Sequence, residues 1–278
     1  MSPKSKLPIA PTAVLALARE LRTSAQADRP LVVEGTKELA ASLRKELTRG
    51  GVASAVRGGS VEGAAALVYV LTGAAREADV AVLRQAERAK VPIVAVVAAP
   101  GGERVPDPPY ALAENVVRVP PGSGFPIEKI VQALARALGE KATPLAARLP
   151  VLRGAVVDRL IARFSRQNAV IGAAVFVPGA DLPVLTLNQI RLLMRIADAY
   201  GFELDRQRIP EVLGVIGSGL GFRALARNMV GVVPVAGWAV KAGIAYGGTR
   251  ALGEASRRYF EARAPVTRVA GDRAVFPR

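Results

Sequence analysis

Between Pro30 and Glu140, short apolar runs alternate with segments whose apolar positions recur at helical spacing, which is how a parallel α/β sheet reads. The runs predict strands over 31–33, 52–56, 65–71, 91–97 and 116–119, and the segments between or after them predict helices over about 36–49, 76–90 and 126–138. In the last helix Ile127, Ile130, Val131, Leu134 and Leu138 share one face and are expected to meet the sheet. The stretch Val91 to Val97 is apolar at every position except Pro92, so both of its faces should be covered, as in a central parallel strand.

After Thr143 the strand pattern stops and long helical segments rich in Gly, Ala and Val take over. Val156, Val157, Leu160, Ile161 and Phe164 define one helix face, with Asp158, Arg159, Arg163 and Arg166 on the other. Leu185, Ile190, Leu193, Ile196, Ala197 and Tyr200 define a second apolar stripe. Near the start, Thr12 can cap a helix over about 13–25, and the polar tail after Ala264 is expected to be poorly ordered. The expected organisation is an N-terminal extension at 1–28, an α/β domain at 29–142, an all-α helical domain at 143–262 and a tail at 263–278.

Composition narrows the chemistry. The 278 residues contain no Cys and no His, which removes disulfides, Cys/His zinc sites, His- or Cys-ligated haem and Ser-His-Asp or Cys-His triads. With 38 Lys+Arg against 23 Asp+Glu the formal charge is +15, so an acidic partner is expected. The surplus sits mainly after Thr143, where Lys241 is the only Lys and Arg supplies the rest. Aromatic residues make up 5% and do not alternate with the basic ones as stacking platforms would, so nucleic acid is the disfavoured partner. No secretory pattern is visible at the start, and the chain reads as cytoplasmic, with membrane association open.

The first strand-turn-helix places Gly35 and Ser42 at the spacing of a P-loop, with Ala40 and Ala41 where the second Gly and the Lys belong. Two alanines can neither neutralise a phosphate nor let backbone amides close around it. The order of the later elements resembles a small GTPase of the Era and TrmE type. Ala65-Ala-Leu-Val-Tyr-Val-Leu71 is similar to the strand reading "ADLVLFVVD", and Val91-Pro-Ile-Val-Ala-Val-Val97 to "KPVILVLNKxD", with Ala98, Ala99 and Gly101 at the guanine-reading positions. Ser60-Val-Glu-Gly63 stands where a switch Asp-x-x-Gly would be, and Pro120 and Pro121 replace the Ser-Ala of the last loop. The resemblance implies a degenerate, pseudo-GTPase domain without cofactor. A generic Rossmann-like sheet without P-loop ancestry fits the residues as well, and both exclude GTP hydrolysis.

Asn168-Ala-Val-Ile-Gly-Ala-Ala-Val-Phe-Val-Pro-Gly-Ala-Asp181, the following segment through Gln189 to Gly201, Val233-Pro-Val-Ala-Gly237 and Thr249-Arg-Ala-Leu-Gly253 resemble the YcjF-like family of bacterial domains of unknown function. That family is often linked to GTPases and described as membrane proteins, and the resemblance covers roughly residues 150–261. Asp181 and Gln189 are motif positions. Asp181 is the lone charge between Ala169 and Leu187 and is expected to cap a helix starting near Leu182, with Pro183 in its first turn. The alternative is an ion or ligand contact with Asn188 and Gln189.

Ala239, Gly243, Gly247 and Ala251 form a small-residue stripe at i, i+4 spacing, expected to pack helices closely; Gly217 and Gly221 add a shorter pair. The uncharged run Asn228 to Val240 is shorter than a membrane span of about 20 residues. Arg159, Arg163 and Arg166, with Arg223, Arg227 and Arg250, are candidates to lie at an anionic membrane surface, or are solvated helix faces. The reading is a non-enzymatic protein with no metal site, whose helical half mediates membrane association or self-assembly and whose α/β half is an interaction module. The alternatives are a soluble basic adaptor for RNA or an acidic protein and an enzyme with an unrecognised nucleotide or small-molecule site.

Overall fold

The computed structural model describes residues 29–99, 101, 105–174, 182–202, 212, 214 and 238–264. Its first part is a five-stranded parallel sheet in the order β2-β1-β3-β4-β5. The strands are β1 (Leu31–Gly35), β2 (Val56–Arg57), β3 (Ala66–Thr72), β4 (Ile93–Ala98) and β5 (Val116–Val119). Helices α1 (Lys37–Thr48), α2 (Glu77–Arg88) and α3 (Ile127–Leu138) connect or follow them. This is a Rossmann-like α/β fold, as the alternation of runs implies. The run 52–56 is the exception: Ala53–Ala55 forms a 3₁₀ turn, and only Val56–Arg57 pairs with β1.

The two-residue period of the strands sorts the core into two layers. Leu31, Val33, Val68, Val70, Val94 and Val96 face one side with Leu43 and Leu47 of α1 and Ile130 and Leu134 of α3. Val32, Leu67, Tyr69, Leu71 and Val97 face the other with Leu83 and Ala86 of α2. The central strands β3 and β4 are therefore covered on both faces, which is why they are apolar at nearly every position.

Among the described residues four longer helices follow: α4 (Thr143–Arg148), α5 (Pro150–Ala174), α6 (Leu182–Ala199) and α7 (Trp238–Glu261). The two predicted stripes are their core faces, with Val156 to Phe164 buried on α5 and Leu185 to Tyr200 on α6. Helix α3 is buried on more than the face its spacing defines, because Ala133 and Ala135 are covered too. It packs on β4 on one side and α5 on the other, so one hydrophobic core continues from the sheet into the helices. The backbone adds a tie, since Val52 N–H donates to Arg148 O at 2.9 Å.

Helices α5 and α7 approach closely through glycines. A Cβ at Gly253 would lie 2.6 Å from Ile161 Cγ1, and one at Gly172 would lie 3.1 Å from both Ala245 Cβ and Lys241 O. The predicted small-residue stripe is not this interface. Ala239, Gly243, Gly247 and Ala251 are all exposed, and a Cβ at Gly243 or Gly247 would meet nothing within 4 Å. Helix α7 instead buries Ala245, Thr249, Leu252, Ser256 and Phe260, a stripe two residues around the helix from the expected one. The N-terminal helix, the tail, Asp181, the pair Gly217 and Gly221, and Arg223 and Arg227 lie outside the described residues.

Candidate functional site

In open α/β sheets ligands gather at the carboxyl ends of the strands where the order reverses, here between β1 and β3. The structure places Gly35 at the end of β1 with φ +117°, where a Cβ would collide with Val70 O. Only Thr36 separates β1 from α1, so Ala40, Ala41 and Ser42 lie within the helix and Ala40 is a core residue. The P-loop spacing therefore corresponds to no phosphate-cradling loop. Thr36 Oγ1 and Thr72 Oγ1 are hydrogen-bonded across the strand ends at 3.1 Å, and Thr36 N–H donates to Val70 O. Glu34 accepts from Gly59 N–H beside them and lies 4.0 Å from Arg44. A carboxylate there repels the charge a phosphate would bring.

The segment Ser60 to Gly63 is a local turn in which Glu62 N–H donates to Ser60 Oγ at 3.2 Å. On the sheet face covered by α2, Tyr69 Oη donates to Asp79 at 2.8 Å, while Asp79 also accepts from Arg76 N–H and caps α2. Burial first, then that hydrogen bond and the negative charges of Asp79 and Glu34, push the Tyr69 phenol well above its usual range. These interactions tie β3 to the start of α2. Among the described residues no cluster of acidic side chains could hold a metal ion.

The helical half holds a different arrangement. An open cleft of about 700 Å3 lies between α5 and α6, with Glu140 of the preceding 3₁₀ turn at its margin. Arg163 and Arg166 come from α5, Arg191 and Arg195 from α6. Glu140 accepts from Arg163 at 2.6 Å and from Arg195 at 3.5 Å, and so links the two helices to the end of α3. Towards the other end Asn188 Nδ2 donates to Asn168 Oδ1 at 3.0 Å, which in turn passes a hydrogen bond from Nδ2 to Thr249 Oγ1 at 2.7 Å. Val170 and Val184 line the cleft beyond this polar bridge and are 68% and 48% exposed, an unusual placing for valines.

Of the residues expected to face an anionic surface, Arg159, Arg163 and Arg166 are exposed on α5, and the last two enter the cleft. Gln189 is half-buried next to Asn188 and does not line it. Helix α6 begins at Leu182, where the spacing put its start. Arg250 is exposed on α7 and donates to Tyr246 Oη at 3.5 Å. Sequence reasoning missed Glu140, Arg191 and Arg195. The i, i+4 spacing of the two arginines on α6 was a usable signal, but nothing local says that they face α5. Among the described residues no helix is long and apolar enough to cross a membrane. The chain matches no protein-family model, no curated protein and no solved structure.

Proposed function

We propose that the chain is a non-enzymatic, YcjF-like protein in which a pseudo-GTPase-like α/β module carries a helical half that docks on an anionic membrane surface from the cytoplasmic side. The observation that supports this most is the juxtaposition on α5 and α6 of guanidinium groups with exposed valines. Arg159, Arg163 and Arg166 can meet phosphate head groups while Val170 and Val184 enter the acyl boundary, the arrangement of an interfacial helix whose long cations snorkel. The sequence from Ala169 to Ala180 contributes no charge that would oppose insertion. Each arginine near such a surface contributes about 1 kcal/mol, and with Arg163 held by Glu140 at 2.6 Å the salt-sensitive attraction falls to Arg159 and Arg166.

Co-flotation of the purified protein with vesicles tests the reading. Flotation with phosphatidylglycerol vesicles at low salt is expected, reduced at high salt and absent from phosphatidylcholine vesicles. The paired change Arg159→Glu and Val170→Asp is expected to abolish it without unfolding the chain, since both positions are exposed. Wild-type protein that never floats would overturn the membrane reading.

The exposed stripe Ala239, Gly243, Gly247 and Ala251 favours self-association as a second reading, because small residues let two copies of α7 approach closely. Sedimentation velocity across a concentration series decides it, a monomer throughout counting against it.

A further inference from the structure

We propose that the helical half enters an anionic bilayer end-first, at the end where α5 stops and α6 and α7 start, with Val170, Val184 and Val240 in the acyl boundary and Arg166, Arg191 and Arg250 at the phosphates. The proposal rests on the membrane reading and adds α7 to the contact.

The registers of the three helices bring this end together. Asn168 of α5 is hydrogen-bonded to Asn188 of α6 and to Thr249 of α7, so these three residues lie at one height. Helix α6 runs antiparallel to α5, since Glu140 also joins Arg163 to Arg195, and α7 does the same, since Gly172 lies against Lys241 and Gly253 against Ile161. Val184, ahead of Asn188 by one turn, is therefore level with Gly172, and Val240, next to Lys241, with Ala173. At about 1.5 Å per residue the three valines fall within about 5 Å of one height. They are the large apolar side chains that the described residues of the helical half expose, at 68%, 48% and 46%. Each helix packs on both others, so a side of the bundle presents two of them, whereas its end presents all three.

The same registers set a belt of cations beneath the valines. Arg166, Arg191 and Arg250 are each within one turn of the hydrogen-bonded trio, at the height of residues 165–167 of α5. That is about 5–12 Å below the valines, comparable with the depth of about 5–10 Å to which interfacial helices sink. Arg166 and Arg250 are exposed and Arg191 is half-buried, and their long stems let the charge reach the phosphates. Over residues 164–197 and 238–253 the sequence carries one carboxylate, Asp181, so this end is cationic. A second copy would bring an identical belt against this one, whereas an anionic bilayer is complementary to it.

Trp238, the first residue of α7 and the sole Trp of the chain, reports on this end. Its emission is followed on adding phosphatidylglycerol or phosphatidylcholine vesicles, with and without bromine on the acyl chains. A blue shift with phosphatidylglycerol that brominated chains quench is expected, and none with phosphatidylcholine. Val240→Asp is expected to weaken binding at least about tenfold, because a carboxylate then enters the acyl boundary. Val240→Leu is expected to tighten it about fourfold, the worth of one buried CH2, a gain that a damaged fold could not produce. Circular dichroism melting identifies a variant that has unfolded; if Val240→Asp does, Val240→Leu decides. Protein that floats with vesicles while its Trp238 emission is unmoved, or that gains nothing from Val240→Leu, overturns the end-first contact and leaves the membrane reading standing. Emission already blue-shifted without vesicles and unmoved by them would show this end covered by the chain itself or by a second copy, and also overturns it. Protein that never floats removes both.

Discussion

Asn168 is the residue whose replacement reports most directly on how the helical half is held. It is fully buried on α5 and joins α6 and α7 by accepting from Asn188 at 3.0 Å and donating to Thr249 at 2.7 Å. Asn168→Leu keeps the volume roughly constant and removes both hydrogen bonds, worth about 1 kcal/mol each. Asn188 is half-buried and can turn to water, but the Thr249 oxygen is fully buried and loses its donor, adding about 1–3 kcal/mol. The expected loss is about 3–5 kcal/mol, or roughly 6–20 °C in Tm for a domain of this size. Urea and thermal unfolding followed by circular dichroism measure it. Adding Thr249→Val removes the orphaned oxygen, so the double variant should recover at least about 1 kcal/mol relative to Asn168→Leu. A single variant losing less than about 1 kcal/mol, or a double variant no more stable than the single, would refute the argument that the three helices are joined by a satisfied polar bridge.

The glycines of α7 and its neighbours separate by environment. Gly253→Val should destabilise by about 1–3 kcal/mol because Ile161 already fills the space, whereas Gly243→Ala should stabilise by about 0.5–1 kcal/mol in open helix; both are read from urea midpoints. Stability should fall as pH rises above about 10, because an unfolded tyrosine ionises there while burial and Asp79 keep the Tyr69 phenol protonated in the folded state. Tyr69→Phe should flatten that alkaline slope at a cost of about 1 kcal/mol for the lost hydrogen bond, and an unchanged slope would exclude Tyr69 as its source. Calorimetric titration with GTP and Mg2+ should give no saturable heat, since the strand ends present Glu34 and a closed threonine pair; micromolar binding would defeat the pseudo-GTPase reading.

The proposed docking depends on the exposed arginines of α5 and on Val170 and Val184, which line the cleft between α5 and α6. Glu140 ties that cleft to the end of α3 through its ion pairs with Arg163 and Arg195.

The sequence alone determined the α/β plan, the three helices of the first half and the core faces of α5 and α6, because burial imposes periods of two and 3.6 that survive in one dimension. It also determined what chemistry is absent, since no tertiary contact can supply a His or a Cys. Tertiary structure decided the rest. The 52–56 run became a turn with a two-residue edge strand, because that segment lies at the sheet margin and is tied to Arg148 instead. The helix face of α7 that packs was decided by its fit to Ile161 and Gly172 of α5, and spacing of small residues alone pointed to the wrong face. The arginine cleft was invisible for the same reason: Glu140, Arg163 and Arg195 are separated by tens of positions, and only the crossing of α5 and α6 brings their charges within hydrogen-bonding distance.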